Sequence, residues 1–130
     1  MLDLLFKIFF AAFFINLLYE LLHSVLYETC LKAPLKRYIY LILKAAVFDG
    51  IAIVALFIIS YSLVPGYYLA VFLPASILFA FEWEIYALGV GRWKYSKEMP
   101  VIFGVGITPL LQLAFTGVIS IYIVSHFFIQ

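Results

Sequence analysis

Glu20 and His23 stand three residues apart in an apolar run, which places a carboxylate and an imidazole on one face of a helix. Asp49, Glu82 and Glu84 occur in two further apolar runs. Ionisable groups in such runs are costly in hydrocarbon and tend to be functional. Metal ligation is one chemistry for them. Di-iron bundles use Glu-x-x-His twice, with two more glutamates. Here the motif occurs once, Asp49, Glu82 and Glu84 are the spare ligands, and His126 falls near the opposite end, so no metal is expected. Acid–base chemistry fits better, because carboxyls in apolar surroundings hold or exchange protons near neutral pH. That would serve isomerisation or cyclisation of a polyene, or a proton-coupled transport step. Glu20, His23, Asp49 and Glu84 are the catalytic candidates. No Ser-His-Asp order, phosphate loop or nucleotide fingerprint is present, and Gly89-x-Gly91 and Gly104-x-Gly106 are too short to be one, so no cofactor is expected.

Four apolar stretches must position these groups, at about residues 4–29, 38–63, 67–89 and 101–128. Each is long enough to span a bilayer, which takes about 20 apolar residues. The 130-residue chain is 68% hydrophobic and 12% charged, against roughly 25% charged in soluble domains. Most of its apolar surface must therefore face lipid or neighbouring helices. The expected fold is all-α, a polytopic four-helix transmembrane bundle forming a single domain over residues 1–130. A barrel is excluded by the absence of dyad alternation, and no strands are expected. Pro74 and Pro109 fall inside the third and fourth spans, where proline often kinks a membrane helix. Lys7 precedes a run that continues to spanning length without a small-x-small cleavage site, so the first span reads as a retained helix. Cys30, the one cysteine, rules out an internal disulfide, and a net charge of +1 provides no nucleic-acid footprint.

Lys32, Lys36 and Arg37 fill the first loop and Arg92, Lys94 and Lys97 the third, while the middle loop, Val64-Pro65-Gly66, is uncharged. The positive-inside rule places loops one and three in the cytoplasm and both termini outside it, in what is expected to be a prokaryotic inner membrane. Asn16, Tyr19, Glu20, His23 and Tyr27 form one helical stripe that should face the bundle, with Glu28 one step off it. With a rise of about 1.5 Å per residue, Asp49 lies about 17 Å up the second span and Gln112 about 18 Å up the fourth. Glu20, His23, Glu82 and Glu84 come late on descending spans. These depths converge on a polar cavity in the cytoplasmic half. Tyr19, Glu82, Trp83, Tyr86, Arg92, Trp93, Tyr95 and Gln112 are the expected substrate-binding residues, with Lys44, Thr108 and Thr116 nearby. Glu82 and Glu84 stand about 200° apart around a helix, so only one can face a common cavity. Glu84 with Arg92 reads equally as an interfacial ion pair.

The spacing Trp83-Glu84-x-x-Ala87-x-x-x-Gly91-x-Trp93-x-Tyr95, followed by Pro109, resembles that of the membrane-embedded lycopene cyclase family. Glu84 stands where the family has aspartate. The match covers about a quarter of the chain. The resemblance implies a related helical fold, a cavity for an isoprenoid or other lipid, and possible cyclase- or isomerase-like activity. The family's Pro-x-Glu-Glu becomes Pro109-Leu110-Leu111-Gln112 here. If those glutamates start cyclisation, Glu20, Asp49 or Glu82 would have to supply the proton. Expected partners are a membrane lipid or isoprenoid, and a second copy of the chain or a membrane complex. A small proton- or ion-coupled transporter and a structural subunit are the competing readings.

Overall fold

In hydrocarbon the backbone must satisfy its own hydrogen bonds, and a continuous helix does so within one segment. The apolar stretches follow that rule in the computed structural model, which describes residues 1–128. Helix α1 (Leu2–His23) runs into a 3₁₀ turn (Ser24–Leu26), and a single-turn helix α2 (Glu28–Leu31) lies in the first loop. Helix α3 spans Leu35–Leu63, a 3₁₀ turn covers Pro65–Tyr67, α4 spans Tyr68–Gly89 and α5 spans Ile107–Phe127. Among the described residues four segments are long and apolar enough to cross a membrane, and the protein is an integral membrane protein of the four-helix class. Helix α1 packs against α3 and α5, and α4 packs against the same two, so the helices form a ring with α1 and α4 on a diagonal.

The inner faces carry small and compact side chains. Ala12, Ile53, Phe72, Leu113 and Val124 are buried in one core. At Gly117 on α5 an added Cβ would lie 2.4 Å from Cζ of Phe72 on α4. The missing side chain is therefore what admits the Phe72 ring, which is wholly enclosed. The outer faces are the opposite: Phe6, Phe10, Phe14 and Leu18 make an exposed stripe at four-residue spacing along α1. Water would penalise such a stripe, whereas lipid tails solvate it.

Two element boundaries depart from the sequence expectation. The first span was expected to reach residue 29, but the helix stops at His23 and Tyr27 is extended (φ −108°, ψ 120°). There the chain pairs with the third loop. Ser96 N–H donates to the Leu26 carbonyl at 2.8 Å, Glu28 N–H donates to the Lys94 carbonyl at 2.9 Å, and Lys94 N–H donates to Thr29 Oγ1 at 2.9 Å. The carboxylate of Glu28 also meets the ammonium groups of Lys32 and Lys94, which hold it below the usual carboxylate range. Loops one and three are thus clasped at one end of the bundle, and with them the basic residues.

The fourth helix was expected from residue 101 and begins at Ile107. Residues Val101–Ile102 (β1) and Val105–Gly106 (β2) pair antiparallel instead, correcting the expectation of no strands. Phe103 and Gly104 join them with φ of 51° and 79°, the pattern of a type I′ hairpin turn that a right-handed strand twist favours. Pro109 is consequently the third residue of α5 rather than an interior one, where a missing N–H breaks no helical bond. The later start also corrects the depth of Gln112, which lies only about 8 Å along α5.

Gly117→Ala should destabilise the protein by about 1–3 kcal/mol, the range for overpacking a filled core. Unfolding in mild detergent, followed by circular dichroism, measures this. Gly117→Ala combined with Phe72→Leu should recover part of the loss.

Candidate functional site

Gln112 on α5 is the hub of a polar cluster inside the ring. Its Nε2 donates to Asn16 Oδ1 at 3.1 Å, to Glu20 Oε1 at 2.8 Å and to Asp49 Oδ2 at 2.8 Å. A side-chain amide has two hydrogens, so three acceptors exceed its donors by one. Asn16 Nδ2 donates to the Ala12 carbonyl at 2.8 Å, and Thr116 Oγ1 lies 3.1 Å from Asn16 Oδ1 and 2.8 Å from the Gln112 carbonyl. Asn16, Asp49, Gln112 and Thr116 are all buried. One amide therefore links side chains of α1, α3 and α5.

Toward the loops the cluster continues through His23. Its Nε2 lies 3.0 Å from Glu20 Oε2 and its Nδ1 3.2 Å from Thr108 Oγ1. The Tyr19 hydroxyl donates to the Thr108 carbonyl at 2.6 Å, with its ring edge-on to His23 at 4.9 Å. Tyr19 and His23 thereby seat α1 against the first turn of α5.

A third carboxylate, Glu84 on α4, is buried and held by the third loop. Trp93 Nε1–H donates to its Oε2 at 3.2 Å and the Tyr95 hydroxyl donates to the same oxygen at 2.5 Å. The Tyr95 oxygen in turn accepts Gly106 N–H at 3.0 Å. Burial, reinforced by the bond to Glu84, pushes the Tyr95 phenol far above its ordinary range, so it serves as a fixed donor at physiological pH. Tyr27 packs edge-on against both Trp93 and Tyr95. The ion-pair reading of Glu84 with Arg92 does not hold: the Arg92 guanidinium lies over the Trp83 ring, 5.3 Å from its centroid.

A cavity of about 260 Å³ joins the two clusters. It lies between α3 and α4, and Glu20, Asp49, Glu84 and Gln112 are among its lining residues. The outer wall is a set of near-parallel rings, with Phe48 and Trp83 centroids 4.6 Å apart and Phe79 to Trp83 at 6.5 Å. Lys44 and Arg92 complete the lining from exposed positions. Cys30 lies against the same space, and burial pushes its thiol up.

Of the residues singled out from the sequence, Glu20, Asp49, Trp83, Glu84, Arg92, Trp93 and Gln112 line the cavity. His23 and Tyr95 stand behind it, bonded to Glu20 and Glu84, and Tyr19 lies beside His23, bonded to the Thr108 carbonyl. Glu82 and Tyr86 lie on the exposed outer face of α4, away from the cavity, because the helix turns only one of the two nearby carboxylates inward. Asn16, from the α1 stripe, and Thr116, on α5, tie into the hub. Sequence reasoning missed Phe48 and Phe79 as cavity walls; in a chain this rich in phenylalanine no periodic signal separates them from lipid-facing rings. Among the described residues no three His, Cys, Asp or Glu side chains are arranged to hold a metal.

No family model matches the chain, and no curated protein or solved structure proved similar to it.

Gln112→Leu removes the donor shared by Asn16, Glu20 and Asp49. Orphaned buried groups cost about 1–3 kcal/mol each, so the variant should unfold at markedly lower denaturant. Leu111→Ala, one position away on the exposed face, should change stability by no more than about 0.5 kcal/mol.

Proposed function

We propose that the cavity between α3 and α4 takes up an isoprenoid or other lipid-like molecule, and that the carboxyls at its inner end exchange a proton with it. The observation that carries this reading is the pairing of an apolar, ring-walled space with three carboxylate side chains, Glu20, Asp49 and Glu84, along one lining. General acid catalysis needs a proton donor within hydrogen-bond reach of the reacting atom. Glu20 and Asp49 both accept from the Gln112 amide, so two of the three carboxyls stand side by side.

The resemblance to lycopene cyclases supports the same reading. Glu84, Trp93 and Tyr95, which carry it, form one hydrogen-bonded unit at the cavity. The family's second glutamate after the proline corresponds to Gln112, at the centre of the cluster, and its first to Leu111, which is exposed. Replacement of the inward glutamate by an amide moves the acid function onto Glu20 and Asp49, both bonded to that amide.

Extraction of the protein in mild detergent followed by mass spectrometry should reveal a stoichiometric isoprenoid or related lipid. Glu84→Gln and Glu20→Gln should reduce its retention or turnover at least tenfold while the protein still inserts. Bulk phospholipid alone, with both variants unchanged, would sink the proposal. A proton-coupled transporter is the second reading. It is favoured by the chain of side-chain hydrogen bonds from Thr116 through Asn16 and Gln112 to Glu20 and His23. Proton-driven flux in liposomes, with no retained lipid, would put that reading first.

We also propose that the clasped basic loops lie in the cytoplasm of a prokaryotic cell and both termini outside it, since Lys and Arg favour the cytoplasmic side. Terminal reporter fusions test this. An active periplasmic phosphatase at either terminus is expected, and fluorescence of a cytoplasm-dependent reporter at both termini would reverse the orientation.

A further inference from the structure

Lys44 and Arg92 are the two cationic residues that line the cavity, and neither has an ion-pair partner among the described residues. The level at which they stand follows from helix length. Helix α3 has 29 residues, about 43 Å of helix, whereas the hydrocarbon layer is about 30 Å thick. Its far end, Leu63, abuts the short uncharged turn, so the excess length projects at the clasped end. About 20 residues of hydrocarbon depth, counted back from Leu63, reach Lys44. Helix α4 has 22 residues, close to the length of one span, and Arg92 follows its last turn. Both cations therefore stand at the boundary between acyl chains and headgroups.

From these placements we infer that the cavity is built for an anionic amphiphile, a single apolar chain ending in a phosphate or carboxylate. The headgroup lies between Lys44 and Arg92, and the chain enters along the stacked rings of Phe48, Phe79 and Trp83. The Arg92 guanidinium lies over the Trp83 ring, which gives the fork a surface to rest on. Arginine meets phosphate or carboxylate with paired donors, and lysine adds a mobile charge. A wholly apolar ligand would leave both cations without an anion. The inner carboxyls repel the headgroup, so the molecule is oriented with its charge at the mouth and its chain toward Glu84 and Asp49. This inference rests on the lipid-cavity reading proposed above and adds the chemical class of the ligand.

The chain contains two tryptophans, Trp83 and Trp93, and both line the cavity. Tryptophan fluorescence of the purified full chain in neutral detergent therefore reports occupancy. The probes are farnesyl monophosphate, palmitoleate, uncharged farnesol and inorganic phosphate. Farnesyl monophosphate or palmitoleate should shift the emission at concentrations at least tenfold below farnesol, and whichever is tighter identifies the headgroup. Lys44→Gln and Arg92→Gln should each weaken the anionic probe about tenfold, the scale of a lost charge-assisted bond, and leave farnesol unchanged. Both positions are exposed, so the variants should remain folded and monodisperse. Equal affinity for farnesol and its phosphate, with no effect of either variant, overturns the headgroup inference while leaving the lipid cavity intact. A response to inorganic phosphate as strong as to the farnesyl ester overturns the amphiphile. Absence of any response to all four probes overturns the inference together with the lipid-cavity reading.

Discussion

Satisfaction of polar groups where water is absent is the constraint on which this structure depends, and Gln112 is where it is met. One amide nitrogen serves acceptors on α1 and α3 from a seat on α5. Apolar packing between membrane helices has no hydrophobic driving force, since lipid tails are as apolar as leucine. Close packing and interhelical hydrogen bonds must hold the ring instead. The hub ties three helices, and the Phe72 ring seated on Gly117 brings α4 against α5. The α1–α3 side is drawn together similarly, where a Cβ at Gly50 would lie 3.0 Å from the Phe9 ring.

The same arrangement makes a gradient of polarity across the cavity. Carboxyls and an amide occupy its inner end, three aromatic rings its outer wall, and two cations its mouth. Each level is maintained by a different element. The inner end belongs to α1, α3 and α5, the rings bridge α3 and α4, and Glu84 is held by donors from the third loop. That loop is positioned by its pairing with the segment after α1 and by its own hairpin, so a short stretch of backbone pairing at the membrane edge sets the geometry of a buried carboxylate. The break in α1 at Tyr27 has the same origin, because its extended backbone is what pairs with the loop.

Much of this was legible in the chain. Apolar run length identified four spans, and the α1 stripe from Asn16 to His23 predicted an inward polar face because a 3.6-residue period allows no other grouping. Turn-level structure was less legible. Residues 101–106 are apolar enough to read as helix, yet Phe103 and Gly104 adopt positive φ and Gly106 precedes the first turn of α5. Hydropathy carries no information about backbone pairing, and it was pairing that shortened both the first and the fourth helices.

By itself the sequence determined the class of protein, the number of spans, the concentration of basic residues in two loops and the set of side chains that hydrocarbon would not tolerate alone. Those follow from transfer free energies and helical periodicity, which are local properties. Only the tertiary structure decided that Glu84 rather than Glu82 faces inward, that Gln112 joins Glu20 to Asp49, and that Phe48, Phe79 and Trp83 wall a cavity. These depend on how each helix is rotated about its axis, and that rotation is set by contacts between residues far apart in the chain.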